Sequence, residues 1–234
     1  MRTLISGALA ISMAMALAGV GLTAMPAWRL RAVEIMPVIL AVASFAVGGY
    51  FLVTQDLSVG VAFWGIVDVH WLGLLAGPVT GILLAIAAFW LEAQITRRWY
   101  RNRAGHDMYF LYVPVAGRSE TMTAVAGIAQ RGRYFAVLSL LSASGEEFFY
   151  RGVFLLGGTA VAHGTVAAFL LVQAFLYGIN HVAFGVPAVA GKCLLGVSLG
   201  VTALLGGVPA SLIAHLFYQV LVLRQFRGKE RVHS

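Results

Sequence analysis

Three groups of polar residues sit inside runs that are otherwise apolar. Glu146, Glu147 and Arg151 fall together in the 134–156 run; His181 ends Tyr177-Gly178-Ile179-Asn180-His181; His215 and Gln219 stand four residues apart in the 209–223 run. On a helix at about 100° per residue, Glu147 and Arg151 lie about 40° apart and can pair, while Glu146 lies about 100° from its neighbour and stays available. A carboxylate beside an imidazole can take a proton from water. A second imidazole one turn from an amide NH₂ supplies donors for an oxyanion. Together these are the parts for hydrolysing an acyl bond. Each part has a plainer use, because an intramembrane His can simply satisfy an interhelical hydrogen bond and a Glu–Arg pair can lock packing. Three ionisable groups in one span nonetheless carry an insertion cost of about 7–10 kcal/mol before pairing. Independent structural uses would not be expected to converge on three helices.

Apolar helices must position these groups. Of 234 residues, 60% are hydrophobic and 11% charged, with mean hydropathy +0.88, whereas soluble domains keep about 25% of their residues charged. Such a chain belongs in a bilayer, where the outer face meets lipid. A membrane helix needs about 20 apolar residues, and seven segments reach or approach that: 4–23, 33–53, 70–91, 134–156, 166–185, 189–206 and 209–223. The last two are separated only by Gly206-Gly207-Val208-Pro209, which predicts a tight hairpin. The expected fold is all-α, a polytopic transmembrane bundle of about seven spans. As one integrated domain it divides into 1–133 (spans and a basic loop), 134–223 (a core of four spans) and 224–234 (a basic tail). Gly73, Gly77 and Gly81, and Gly196 and Gly200, repeat at four residues and predict close helix packing. The 104–131 stretch reads as a cytoplasmic loop.

The formal charge of +7 raises the question of nucleic acid, and the charge positions answer it. Thirteen of the 16 Lys and Arg residues fall in four groups between or after apolar runs: Arg29 and Arg31; Arg97, Arg98, Arg101 and Arg103; Arg118, Arg131 and Arg133; Arg224, Arg227, Lys229 and Arg231. The 54–69 loop has none. That asymmetry predicts an N-terminus outside and a C-terminus inside, and excludes a nucleic-acid partner. It also argues against reading 4–23 as a cleaved signal peptide. The single cysteine, Cys193, permits no disulfide framework.

The motifs Glu146-Glu147-x-x-x-Arg151, an aromatic four residues before His181, and His215-x-x-x-Gln219, in that order within membrane spans, resemble the CPBP intramembrane protease family. That family includes the CAAX prenyl endopeptidase of Rce1 type and bacterial relatives. The resemblance covers about 134–223. It implies a glutamate-type intramembrane endopeptidase in which Glu146 and His181 activate water and His215 and Gln219 hold the oxyanion. Glu147, Arg151 and Tyr177 would support them. The chain departs from the family twice: Tyr177 stands where Phe is usual, and Gln219 where Asn is usual. Two His and a Glu can hold zinc, but no local His-Glu-x-x-His motif is present, and the resemblance favours catalysis without metal or other cofactor.

The expected partners are the bilayer and a membrane-associated protein or peptide tail. Prenylated CAAX proteins, sorting-signal tails and peptide precursors are the candidates. Short loops and an Ala-, Gly- and Val-rich composition lead us to expect a bacterial cytoplasmic membrane, with the site opening to the cytoplasm. Two competing readings are an inactive scaffold or immunity partner, and a proton-coupled transporter. The retained Glu146, His181 and His215 oppose the first, although Gln219 leaves it open. The absence of matching halves opposes the second.

Overall fold

The structure, a computed structural model, describes residues 2–25, 29–64, 71–104, 125, 127–161 and 166–227. Among them every regular element is helical. The order is α1 (Arg2–Ala24), α2 (Arg29–Thr54), a short α3 (Val59–Trp64), α4 (Trp71–Ala104), α5 (Gly132–Glu146), α6 (Val166–Ile179) and α7 (Val186–Arg227). The fold is an all-α bundle of an integral membrane protein. Three helices contain stretches long and apolar enough to cross a bilayer: Arg31–Thr54, Leu75–Trp99 and Val186–Gln225. Most of the expected 104–131 loop, Arg118 included, and Lys229 and Arg231 of the tail lie outside the described residues.

Helix α4 shows what solvent the bundle is built for. Leu75, Val79, Leu83, Ile86 and Trp90 are exposed on one face, while Gly77, Gly81, Ala85 and Ala88 are buried on the other. A water-soluble helix points its large apolar residues inward; α4 points its small ones inward and its large ones outward, toward lipid. The glycines allow close approach to α7. A methyl group on Gly77 would lie 2.8 Å from the Gly206 Cα, and one on Gly81 would lie 2.9 Å from the Ala214 Cβ. The four-residue glycine spacing thus marks real contacts.

The expected hairpin between the sixth and seventh segments is present. Helical geometry fails at Gly206 and Gly207, and Gly207 adopts φ 72°, ψ −178°, a region open to glycine. Across this break Ser211 Oγ lies 3.1 Å from the Leu199 carbonyl oxygen, and Lys192 Nζ donates to the Tyr218 hydroxyl (2.7 Å). Both pairs have the same midpoint in sequence, as antiparallel arms require. Pro209 falls in the first turn of the second arm, where its missing N–H has no helical partner to lose.

Three expectations need correction. The third segment, drawn over 70–91, continues as helix to Ala104, so Arg97, Arg98, Arg101 and Arg103 belong to a helix end and not to a loop. Arginine is a good helix former, and the fall in hydropathy marks where the apolar surface ends, not where the helix does. The fifth, drawn over 166–185, ends as helix at Ile179; a turn and a 3₁₀ segment (Val182–Phe184) follow, closed by Gly185 at φ 97°. The fourth is not uniformly α-helical. After Glu146 it passes into a π-helix (Glu147–Gly157) and returns to α only at Gly158–Val161. Nearly every residue of the π segment is buried, with Phe149, Tyr150 and Phe154 packing among Phe169, Tyr177, Leu195, Leu199 and Tyr218. It is the central strut of the bundle.

Candidate active site

The two glutamates straddle the change of helix type, Glu146 as the last α residue and Glu147 as the first π residue. π-helical turns inside α-helices occur often at functional sites, and here the two carboxylates part company. Glu147 is fully buried and fully engaged. Its Oε1 lies 3.3 Å from Arg151 Nη1 and 2.8 Å from His215 Nδ1, and its Oε2 accepts a short hydrogen bond from Ser211 Oγ. The Arg151 guanidinium lies 4.3 Å from the centre of the Tyr177 ring, a cation–π contact. Glu146 makes no hydrogen bond to the described residues. Its nearest ion-pair partner is His215, with Oε2 3.9 Å from Nε2, and it faces a cavity of about 340 Å³.

All seven residues singled out by the sequence meet in one cluster, six of them carried on helices. His215 is its hub, with Tyr177 Oη 3.3 Å and Gln219 Nε2 3.4 Å from its Nε2. The seventh, His181, comes in from the turn after α6. Its Nδ1 lies 3.0 Å from the Tyr177 carbonyl oxygen. A carbonyl only accepts, so Nδ1 carries a proton, and in the neutral ring Nε2 keeps its lone pair. His181 lines the same cavity as Glu146 and Gln219, but no hydrogen bond or ion pair joins it to Glu146. His215 and Tyr177 are each only 1% exposed and lie behind the cavity wall.

Several site residues escaped the sequence reading. Ser211 supports Glu147 and lies one turn before His215, so the spacing 211, 215, 219 could have revealed it. Ser12 of α1 is completely buried and hydrogen-bonds the Tyr150 hydroxyl (2.8 Å), which also contacts Asn180, next to His181. A lone serine in an apolar helix carries no such signal. A second polar group also lines the cavity: the Tyr218 hydroxyl donates a short bond to Glu92, and Lys192 Nζ lies 3.7 Å from the same carboxylate oxygen. This ties α4 to both arms of α7.

The cluster does not fit a tetrahedral zinc. Among the described residues no group of three or more His, Cys, Asp or Glu could hold a metal ion. Zinc needs converging free lone pairs, and His215 has Nδ1 on Glu147 while Nε2 is flanked by Tyr177 and Gln219.

The bundle thus holds a buried carboxylate–arginine pair, a second carboxylate on a cavity and two imidazoles. Residues 132–221 match the family model described as type II CAAX prenyl endopeptidase Rce1-like. That stretch is similar to the Rce1-like family, in agreement with the CPBP resemblance, and all seven residues singled out by the sequence fall inside it. At family level the match supports a CAAX-type intramembrane protease. No curated protein and no solved structure matches the chain.

Proposed function

We propose that the chain is an intramembrane endopeptidase that cuts a peptide bond near the membrane in a protein or peptide tail, with water activated by Glu146 and His181. The observation that carries this reading is the unequal state of two adjacent carboxylates. Glu147 has its charge offset by Arg151 and its lone pairs engaged by His215 and Ser211, whereas Glu146 has no hydrogen bond to the described residues and faces the cavity. Water held between Glu146 and the lone pair on His181 Nε2 attacks the scissile carbonyl carbon. Its proton passes to Glu146 and then to the leaving amine, as general base and general acid in turn. The oxyanion is held by Gln219, on the cavity wall, and by His215 beside it. No metal enters these steps. Residues 134–223 form the catalytic core, 1–133 the remaining spans with a basic loop, and 224–234 a basic tail. The site opens to the cytoplasm of a bacterial membrane, and the substrate is a membrane-associated tail, a prenylated CAAX sequence being the first to test.

Two experiments address this, both using an internally quenched peptide ending in a prenylated CAAX sequence. Loss of one oxyanion donor typically lowers kcat about 10²–10³-fold. Gln219→Ala is expected in that range with KM little changed, because the bond strengthens only in the transition state. Gln219→Asn, which keeps the donor on a shorter stem, should fall between wild type and Ala. Wild-type turnover by Gln219→Ala would make Gln219 a packing residue. In the second, dialysis against strong chelators is expected to leave the rate unchanged and zinc below stoichiometric. Activity lost to the chelator and restored by zinc would overturn the metal-free mechanism.

A further inference from the structure

The two positions where the chain departs from the CPBP pattern lie on different helices, yet they bring polar atoms to a single nitrogen. Tyr177 Oη stands 3.3 Å and Gln219 Nε2 3.4 Å from His215 Nε2, and Glu146 Oε2 lies 3.9 Å from that same atom. On the other side of the ring Nδ1 lies 2.8 Å from Glu147 Oε1. A carboxylate paired with arginine accepts, so Nδ1 carries a proton. The charges of Glu147 and Arg151 cancel within a fully buried pair. Because Glu146 gains and loses a proton during hydrolysis, the group facing Nε2 changes charge in every turnover.

We propose that the Tyr177 hydroxyl is the positioning residue that keeps His215 in place through both states, with the Gln219 amide flanking it. When Nε2 carries a proton and no oxyanion is present, the hydroxyl oxygen accepts it in a hydrogen bond. When Nε2 has its lone pair, the hydroxyl turns its own hydrogen toward it. A hydroxyl does both without moving its heavy atom, whereas a carbonyl or an ammonium does only one. Phenylalanine in this place would fill the same volume over Arg151 and leave a nitrogen that is almost wholly buried without that partner. The inference rests on Glu146 as the water-activating carboxylate.

Tyr177→Phe isolates the hydroxyl, since it keeps the ring 4.3 Å from the Arg151 guanidinium, and losing one buried hydrogen bond should lower the melting temperature only slightly. In the quenched-peptide assay kcat is expected to fall about 10–100-fold with KM unchanged, the range for one hydrogen bond to a charged group. In ¹⁵N NMR of histidine-labelled protein, the His215 Nε2 resonance is expected to move. Combining Tyr177→Phe with Gln219→Asn should lower kcat by less than the product of the single effects, because both act on one atom. Wild-type kcat, a change in KM alone, an unmoved Nε2 resonance or strictly multiplicative effects would each overturn the proposal. The resonance needs no turnover, so it judges the hydrogen bond separately. Wild-type cleavage by Glu146→Gln, with the resonance still moving in Tyr177→Phe, sinks the reading of Glu146 and not the contact at His215.

Discussion

Glu146→Gln is expected to abolish cleavage while leaving the protein inserted, folded and as heat-stable as the wild type. The two halves of this expectation have separate causes. Glutamine matches glutamate in shape but does not take a proton from water, and removal of a general base lowers the rate about 10²–10⁴-fold. Here one group acts as base and then as acid, so the upper end applies. Stability should hold because Glu146 makes no hydrogen bond to the described residues and its closest ionic approach, to His215, is 3.9 Å. The neighbouring position gives the contrast. Glu147→Gln changes a carboxylate with three partners, so its effect should appear as lowered expression and melting temperature. The measurement is turnover of the quenched peptide alongside a thermal melt of the purified protein. Wild-type turnover by Glu146→Gln would remove Glu146 from the chemistry.

This contrast was legible in the sequence, and its limits are instructive. An i, i+4 pairing of Glu147 with Arg151 follows from helical spacing alone, and the structure bears it out even though that segment is wound as a π-helix. The π winding itself was not legible. Nothing in Glu147-Phe148-Phe149-Tyr150-Arg151 forbids an α-helix, and the wider turn is fixed by what packs around a strut buried on all sides. The hairpin in α7 was legible because Gly206, Gly207 and Pro209 act locally. The turn carrying His181 was half-legible: Gly185 and Pro187 mark a boundary, but the apolar run passes through it and hides where α6 stops.

Partners across helices were the least legible. Hydropathy identifies helices without saying which of them adjoin. The spacing offered Glu146 an imidazole on either α6 or α7, and in the structure the nearer one is His215, with His181 across the same cavity. Ser12 contacts Tyr150 at a separation of 138 residues, a distance over which no periodicity speaks. The first helix therefore does more than set topology, because it supplies a buried hydroxyl to the tyrosine that contacts Asn180 beside His181.

Arg151→Ala is expected to fail as a fold before it fails as an enzyme. Arg151 and Glu147 are both completely buried, with Nη1 and Oε1 3.3 Å apart, and the guanidinium lies against Tyr177. Removing one member of such a pair leaves an uncompensated charge in a dry interior, which destabilises by about 3–5 kcal/mol. Glu147 would keep Ser211 and His215, but these hold the carboxylate without cancelling its charge unless His215 is protonated. The same change opens a cavity beneath the Tyr177 ring, and the two effects add in sign. We expect poor membrane accumulation and a markedly lowered melting temperature, with Arg151→Lys intermediate, since lysine restores the charge but not the planar group lying against the tyrosine. Expression level and thermal melting of the three proteins in the same detergent provide the check. A well-expressed, heat-stable Arg151→Ala that cleaves nothing would reverse the assignment and move the guanidinium from the framework into the reaction.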